Sequence, residues 1–244
     1  MTDVRIGLLL FPDLTQLDLT GPYEVFRRAP GATTLLLAKT LDPVRADSGL
    51  RLLPDTILAG CPQLDVLCVP GGPGVNAAME DAVVLDFLRA QAAGARYVTS
   101  VCTGALVLGA AGLLRGRRAT THWSVHDLLA AFGAIPTQGR VVRDGNLFTG
   151  GGVTAGIDFA LTLVGEMFGE LVAQEVQLGI EYAPAPPFDA GSPDTAPAEV
   201  VAALRARGAA MRARREEIVA RAAGPAILNS LSVLFFRVVA PSVA

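Results

Sequence analysis

The sequence predicts an α/β fold: a doubly wound, mostly parallel sheet with helices on both faces. Three observations carry that expectation. Apolar, β-branched runs alternate with helix-like segments through the first two thirds of the chain. The connections between them are short and punctuated by Gly and Pro. The strand-like runs are continuously apolar, as in "VRIGLLLF", which is the pattern of strands buried on both faces.

The elements follow in order. Val4–Phe11 reads as the first strand, stopped by Pro12. "DLTGPYEVFRRA" reads as a helix with its N-cap at Thr20 or Gly21 and Pro22 in the first turn. "TTLLLAKT" is a second strand, and Leu64–Pro70, "LDVLCVP", is a third that runs into the glycine loop "GGPGV". "AVVLDFLRAQAAGA" is an amphipathic helix ending near Gly94. "RYVTSV" is the next strand, followed after Cys102 by the helix "GALVLGAAGLL". "SVHDLLAAFGA" reads as a helix, "RVVRDGNLFTGGG" as a hairpin around Asp144-Gly145, and "AGIDFALTLVGEMFG" as a long apolar helix under the sheet. From Tyr182 to Val200 the composition shifts to Pro, Ala and Asp, which marks a linker or an ordered excursion. The helix "AEVVAALRARGAAMRARREEIVARAA" comes next, its charge run reading as a solvated face. The expected division is a main domain over 1–197 and a helical extension over 198–244.

A net charge of −3 leaves no basic footprint for a nucleic acid. Three cysteines, at positions 61, 68 and 102, are too few for a disulfide framework and suggest a reducing, cytoplasmic setting. The N-terminus lacks the features of a signal peptide. No window reaches the ~18 apolar residues of a membrane helix. The tail Ala226–Ala244 comes closest, but Asn229, Ser230, Ser232 and Arg237 interrupt it.

The chemistry gathers around Cys102. In an open parallel sheet, ligands collect at the carboxyl ends of the strands. Cys102 stands at such an end, on a strand-to-helix turn that projects its side chain outward. The N–H groups of the following helix face the sulfur, so its pKa is expected to fall below the free-thiol value. The bland alternative is a small buried hydrophobe. Cys68 is mid-strand, and Cys61 lies in a loop without an activating group. After the first strand, Asp18 is the candidate acid beside the sulfur, its alternative role being a helix cap, while Asp13 reads as a solvated turn residue. Gly71 and Gly72, after the third strand, are placed to turn their amides toward an anion. His122 and His126 stand four apart, but no third ligand is near, so a metal site is not expected. His122 is left as a pocket-lining residue, a subunit contact or a dyad partner of Cys102.

The segments "GLLLFPDLTQLDLTGPYEVF", "VPGGPG", "VCTGALVLGAAGLLRGRRATTHW" and "GGVTAGIDFALTLV" resemble the PfpI/DJ superfamily of class I glutamine-amidotransferase-like proteins. Within it, "IEYAPAPPFDAGSPDTAP" resembles the isocyanide hydratases. The resemblance implies a flavodoxin-like fold, a homodimer and no cofactor. It puts the nucleophile on Cys102, the acid on Asp18 and a neighbouring hydroxyl on Thr103. The activity it implies is the addition of water to an isocyanide to give an N-substituted formamide, through a thioimidate on Cys102 with Asp18 as acid and base. In that scheme the amides of Gly71, Gly72 and Thr103 stabilise negative charge, and Val153 packs either near the sulfur or in the core. Thr103 replaces the His that follows the Cys in protease-like members, which argues against a peptidase. Similar domains occur in regulators that add a DNA-binding module, but only about 45 residues follow Pro197, too few for two helix-turn-helix units. A redox- or ligand-sensing module and a glyoxalase-like hydratase are the other readings.

Overall fold

The computed structural model describes residues 3–224; the apolar tail 226–244 falls outside them. The central sheet has seven strands: β1 (Val4–Leu9), β2 (Ala32–Ala38), β3 (Thr56–Ile57), β4 (Val66–Val69), β5 (Tyr97–Val101), β6 (Val141–Asp144) and β7 (Leu147–Gly150). Their spatial order is β6-β7-β5-β4-β1-β2-β3, parallel throughout except for the antiparallel pair β6–β7. The chain steps outward from β1 through β2, returns to the other flank of β1 at β4, and steps away again through β5. Right-handed crossovers in opposite directions place the intervening helices on opposite faces of the sheet. The reversal falls between β1 and β4, and such a switch point leaves a crevice at the strands' carboxyl ends.

The inner strands are continuously apolar because both faces are covered. Ile6, Leu8 and Leu9 of β1 and Val66 to Val69 of β4 are all fully buried. Helix α1 (Gln16–Phe26) follows β1, α2 (Ala82–Gly94) follows β4, α3 (Gly104–Ala110) follows β5 and α4 (Ala155–Phe168) follows β7. α1 packs on α4, where Phe26 and Phe159 meet edge to face with ring centroids 5.9 Å apart. α5 (Glu170–Gly179) packs against α4, and α6 (Ala198–Ala223) closes the described chain.

Four local expectations are revised. α1 starts at Gln16 after Thr15, so Pro22 lies inside the helix, not in its first turn. Its ring packs against α4: a Cβ at Gly156 would stand 3.0 Å from Pro22 Cδ and Cγ. α3 stops at Ala110, before the expected Leu114, and a turn follows through Gly112, whose φ is +81°. Trp123–Phe132 is a 3₁₀ segment broken at Val125, not a continuous α-helix. On α6, Arg212 reaches both carboxylate oxygens of Asp127 and Arg215 is buried, so this part of the charge run faces protein instead of solvent. No described helix is long and apolar enough to cross a membrane.

Candidate active site

Three strand ends meet at the crevice. β5 hands over to α3 at Cys102, whose φ of 53° puts a non-glycine residue in the left-handed region. That conformation costs about 1–2 kcal/mol and has to be held from outside. The Cys102 N–H donates to Gly151 O at 2.7 Å and to Gly150 O at 3.1 Å, and its carbonyl accepts the Thr121 hydroxyl at 2.6 Å. The hairpin β6–β7 and the stretch after α3 thus clamp the elbow. Gly104 is required just beyond it, because a Cβ there would sit 2.2 Å from Val69 O.

The loop after β1 and the start of α1 bring in Asp18, which is fully buried. Its Oδ2 accepts the Gly71 N–H at 2.8 Å, and its Oδ1 is buried with no hydrogen-bond partner. Asp18 lies in the first turn of α1 and is not the cap, which is Thr15. Asp13 is exposed, as expected of a turn residue. From the loop after β4, the Gly72 N–H donates to Thr103 Oγ1 at 2.9 Å, and Gly72 O lies 3.3 Å from the same hydroxyl. The expectation of an open anion nest at Gly71 and Gly72 is therefore revised. Both amides already hold side chains of the site, one fixing the acid and the other the hydroxyl beside the sulfur. Gly71 itself is sterically compelled: a Cβ there would meet Thr103 N at 2.5 Å and Asp18 Oδ2 at 2.7 Å.

Burial dominates the electrostatics. It raises the pKa of Asp18 to about 7, against the opposing Gly71 N–H and the nearby Cys102 thiol. It raises the Cys102 thiol as well, helped by the Asp18 charge, and outweighs the Thr103 amide and hydroxyl, which act the other way. The direction runs against the lowering expected from the helix amides: α3 is one of the shorter helices, and Cys102 is only 5% exposed, so burial outweighs them. The two groups titrate as a pair that keeps its protons longer than free groups would, and the pair's single negative charge can rest on either member.

His122 is half-buried, with Nδ1 2.8 Å from Ser124 Oγ and its ring edge against Gly152. Burial and Arg215 keep it neutral by lowering its pKa. It makes no hydrogen bond with Cys102, and the break at Val125 separates it from His126, whose Nε2 is 3.1 Å from Thr137 O. Among the described residues, no cluster of His, Cys, Asp and Glu is placed to hold a metal. Val153 is half-buried and packs against the core just before α4.

Two residues of this neighbourhood escape sequence reasoning. Arg215 of α6 donates through Nε to Asn76 Oδ1 at 2.8 Å, and its Nη2 lies 3.5 Å from Gly72 O. Asn76 sits on the single helical turn Val75–Ala78 that follows the glycine loop. A cavity of about 610 Å³ opens between α6 and the 3₁₀ segment, with His122, Trp123, Val125, Leu204, Met211 and Arg215 in its wall. Arg215 belongs to both the cavity and the sulfur's surroundings.

Residues 4–166 match the model of the DJ-1/PfpI family. This chain belongs to the DJ-1/PfpI family. It is 63% identical over 220 residues to the isonitrile hydratase of Pseudomonas putida, covering 90% of this chain and 96% of that one. Among solved structures of DJ-1/PfpI proteins, the THiJ/PfpI family protein from Pseudomonas syringae superposes with a TM-score of 0.88 at 48% identity, over 90% of this chain and 91% of that one. Drosophila melanogaster DJ-1beta superposes with a TM-score of 0.68 at 30% identity, over 74% of this chain and 98% of its own.

Proposed function

We propose that this protein is an isocyanide hydratase that converts R–N≡C and water into R–NH–CHO. One observation carries the reading: a buried carboxyl with an unpartnered oxygen, Asp18, lies beside a buried thiol on a strained elbow, in a chain 63% identical to an isonitrile hydratase. The pair keeps a proton near neutrality, which is what the first step requires. The Cys102 thiolate forms a C–S bond to the terminal isocyanide carbon while the Asp18 proton passes to that same carbon, giving a thioimidate R–N=CH–S. Water then adds to the carbon. Asp18 takes its proton and passes it to nitrogen, leaving R–NH–CH(OH)–S. The C–S bond breaks, the hydroxyl proton returns to Asp18, and the formamide leaves with the pair restored.

Gly71 holds the carboxyl and Gly72 holds the Thr103 hydroxyl in this scheme. The protein acts as a homodimer in the cytoplasm, a reading supported by the sequence resemblance and by free cysteines at 61, 68 and 102. The test is formamide production from p-nitrophenyl isocyanide, followed by chromatography. The wild type is expected to turn over and Cys102→Ala to be inactive with an unchanged circular dichroism spectrum. Turnover by Cys102→Ala would overturn the scheme.

A further inference from the structure

α6 carries four arginines that reach other elements, and they are not equivalent: Arg205 lies over the Trp123 ring, 5.9 Å from its centroid. Arg212 is paired with Asp127 and with Glu216 on its own helix, and Arg221 is paired with Glu80. Arg215 is 6% exposed and, among the described residues, has no carboxylate within ion-pair distance. Its partners are the amide oxygen of Asn76 and the carbonyl of Gly72, both neutral. A buried charge without a counter-charge is costly, and neutral oxygens offset only part of that cost.

Asn76 is built to receive the guanidinium. Its Nδ2 lies 3.3 Å from Met211 Sδ, one helical turn before Arg215, which turns the amide oxygen toward Nε. Gly72 O, the other contact, lies against the Thr103 hydroxyl, next in sequence to the sulfur. The guanidinium therefore stands in the wall of the crevice that holds the Asp18–Cys102 pair.

We propose that Arg215 is a positioning residue of this site: a buried cation carried in by α6 that offsets the negative charge of the ionised Asp18–Cys102 pair. The charged and titratable groups facing the pair come from five elements, one of them the buried Cys68 thiol of β4, which the Asp18 charge raises. Asp18 is supplied by α1, and Asp47, in the loop after β2, adds negative charge near it. His122, ahead of the 3₁₀ segment, is neutral, and Arg215 comes from α6 with Arg212 beside it. Arg212 is already neutralised by Asp127 and Glu216, and Asp47 opposes ionisation. Among these charged groups Arg215 is thus the one left to favour it, beside the neutral Gly71 and Thr103 hydrogen bonds.

The experiment reads Cys102 directly. Its alkylation by iodoacetamide is followed against pH, with the Cys102 peptide quantified by mass spectrometry so that Cys61 and Cys68 do not contribute. Arg215→Met is expected to raise the midpoint by about one pH unit, the usual size for loss of a nearby opposite charge. The acid limb of kcat/KM for the isocyanide should rise equally, a loss of about tenfold at a fixed pH below the limb. Arg215→Lys keeps the charge and should return most of the shift. If Arg215→Met does not fold, Arg215→Gln, which keeps a donor for Asn76, serves for the same measurement. An unchanged midpoint with only a lower Tm would overturn the proposal, leaving Arg215 as packing for α6. The kinetic arm rests on the hydratase reading and the alkylation arm does not. A wild type inactive on isocyanides, with a midpoint that still moves in Arg215→Met, would sink the first and support the second.

Discussion

Cys68, on β4, and Cys102, just past the end of the adjacent β5, are both buried, and burial raises both thiols, Cys68 to about 12. Both also feel the Asp18 charge and a neighbouring threonine hydroxyl, so what parts them is the backbone and the reach of a proton partner. Cys68 continues the ladder of β4 in ordinary extended backbone, opposite Thr99 of β5. Cys102 ends its strand in left-handed backbone, with a carboxyl, a hydroxyl and a guanidinium gathered around it. Desolvation alone therefore does not separate an inert sulfur from a useful one. The difference lies in whether the backbone lifts the sulfur out of the ladder and whether neighbouring groups can trade a proton with it.

Removing the proton partner sharpens that contrast most. Asp18→Asn should lower kcat for isocyanide hydration by about 10²–10⁴-fold, the usual worth of a general acid–base. It should also lower the alkylation midpoint of Cys102, because the Asp18 charge raises that thiol. The same variant changes stability in a defined direction. A carboxyl with a pKa near 7 in the fold and 3.8 outside it binds more protons in the native state between those values. Wild-type stability from this group is therefore present below pH 4 and is lost as pH rises toward 7, at up to about 1.4 kcal/mol per pH unit. Denaturant melts of Asp18→Asn should lack that slope.

Gly71→Ala should come next. The new methyl collides with Thr103 and Asp18 together, so a loss of kcat/KM of at least about tenfold is expected, along with destabilisation of about 1–3 kcal/mol from overpacking. Cys68→Ala should do least to the chemistry. Activity should stay within about twofold, while urea melts show a loss of about 1–2 kcal/mol for the small cavity left in the sheet. A large activity loss from Cys68→Ala at normal stability would break the comparison between the two thiols.

Much of this was readable from residue order. The strand–Cys–helix turn, the acid after β1 and the glycine loop after β4 are each local patterns, and the parallel topology brings their ends together. The start of α1 was misplaced because Pro22 reads locally as a helix opener, whereas its packing against Gly156 is a tertiary fact. The direction of the thiol shift is not legible in the sequence, because a helix amide is visible there and depth of burial is not. Arg215 was hidden for a similar reason. α6 is charged around much of its surface, so no stripe marks an inward face, and what buries Arg215 is Asn76, 139 positions earlier in the chain.

The left-handed backbone at Cys102 has a consequence for how this chain can change. Glycine would relax that turn, and every side chain that could replace the sulfur inherits the strain. A drift toward heat resistance would thus favour shedding the very atom that does the chemistry. Tougher relatives that keep the reaction must gain their robustness elsewhere, with this one turn left uncomfortable.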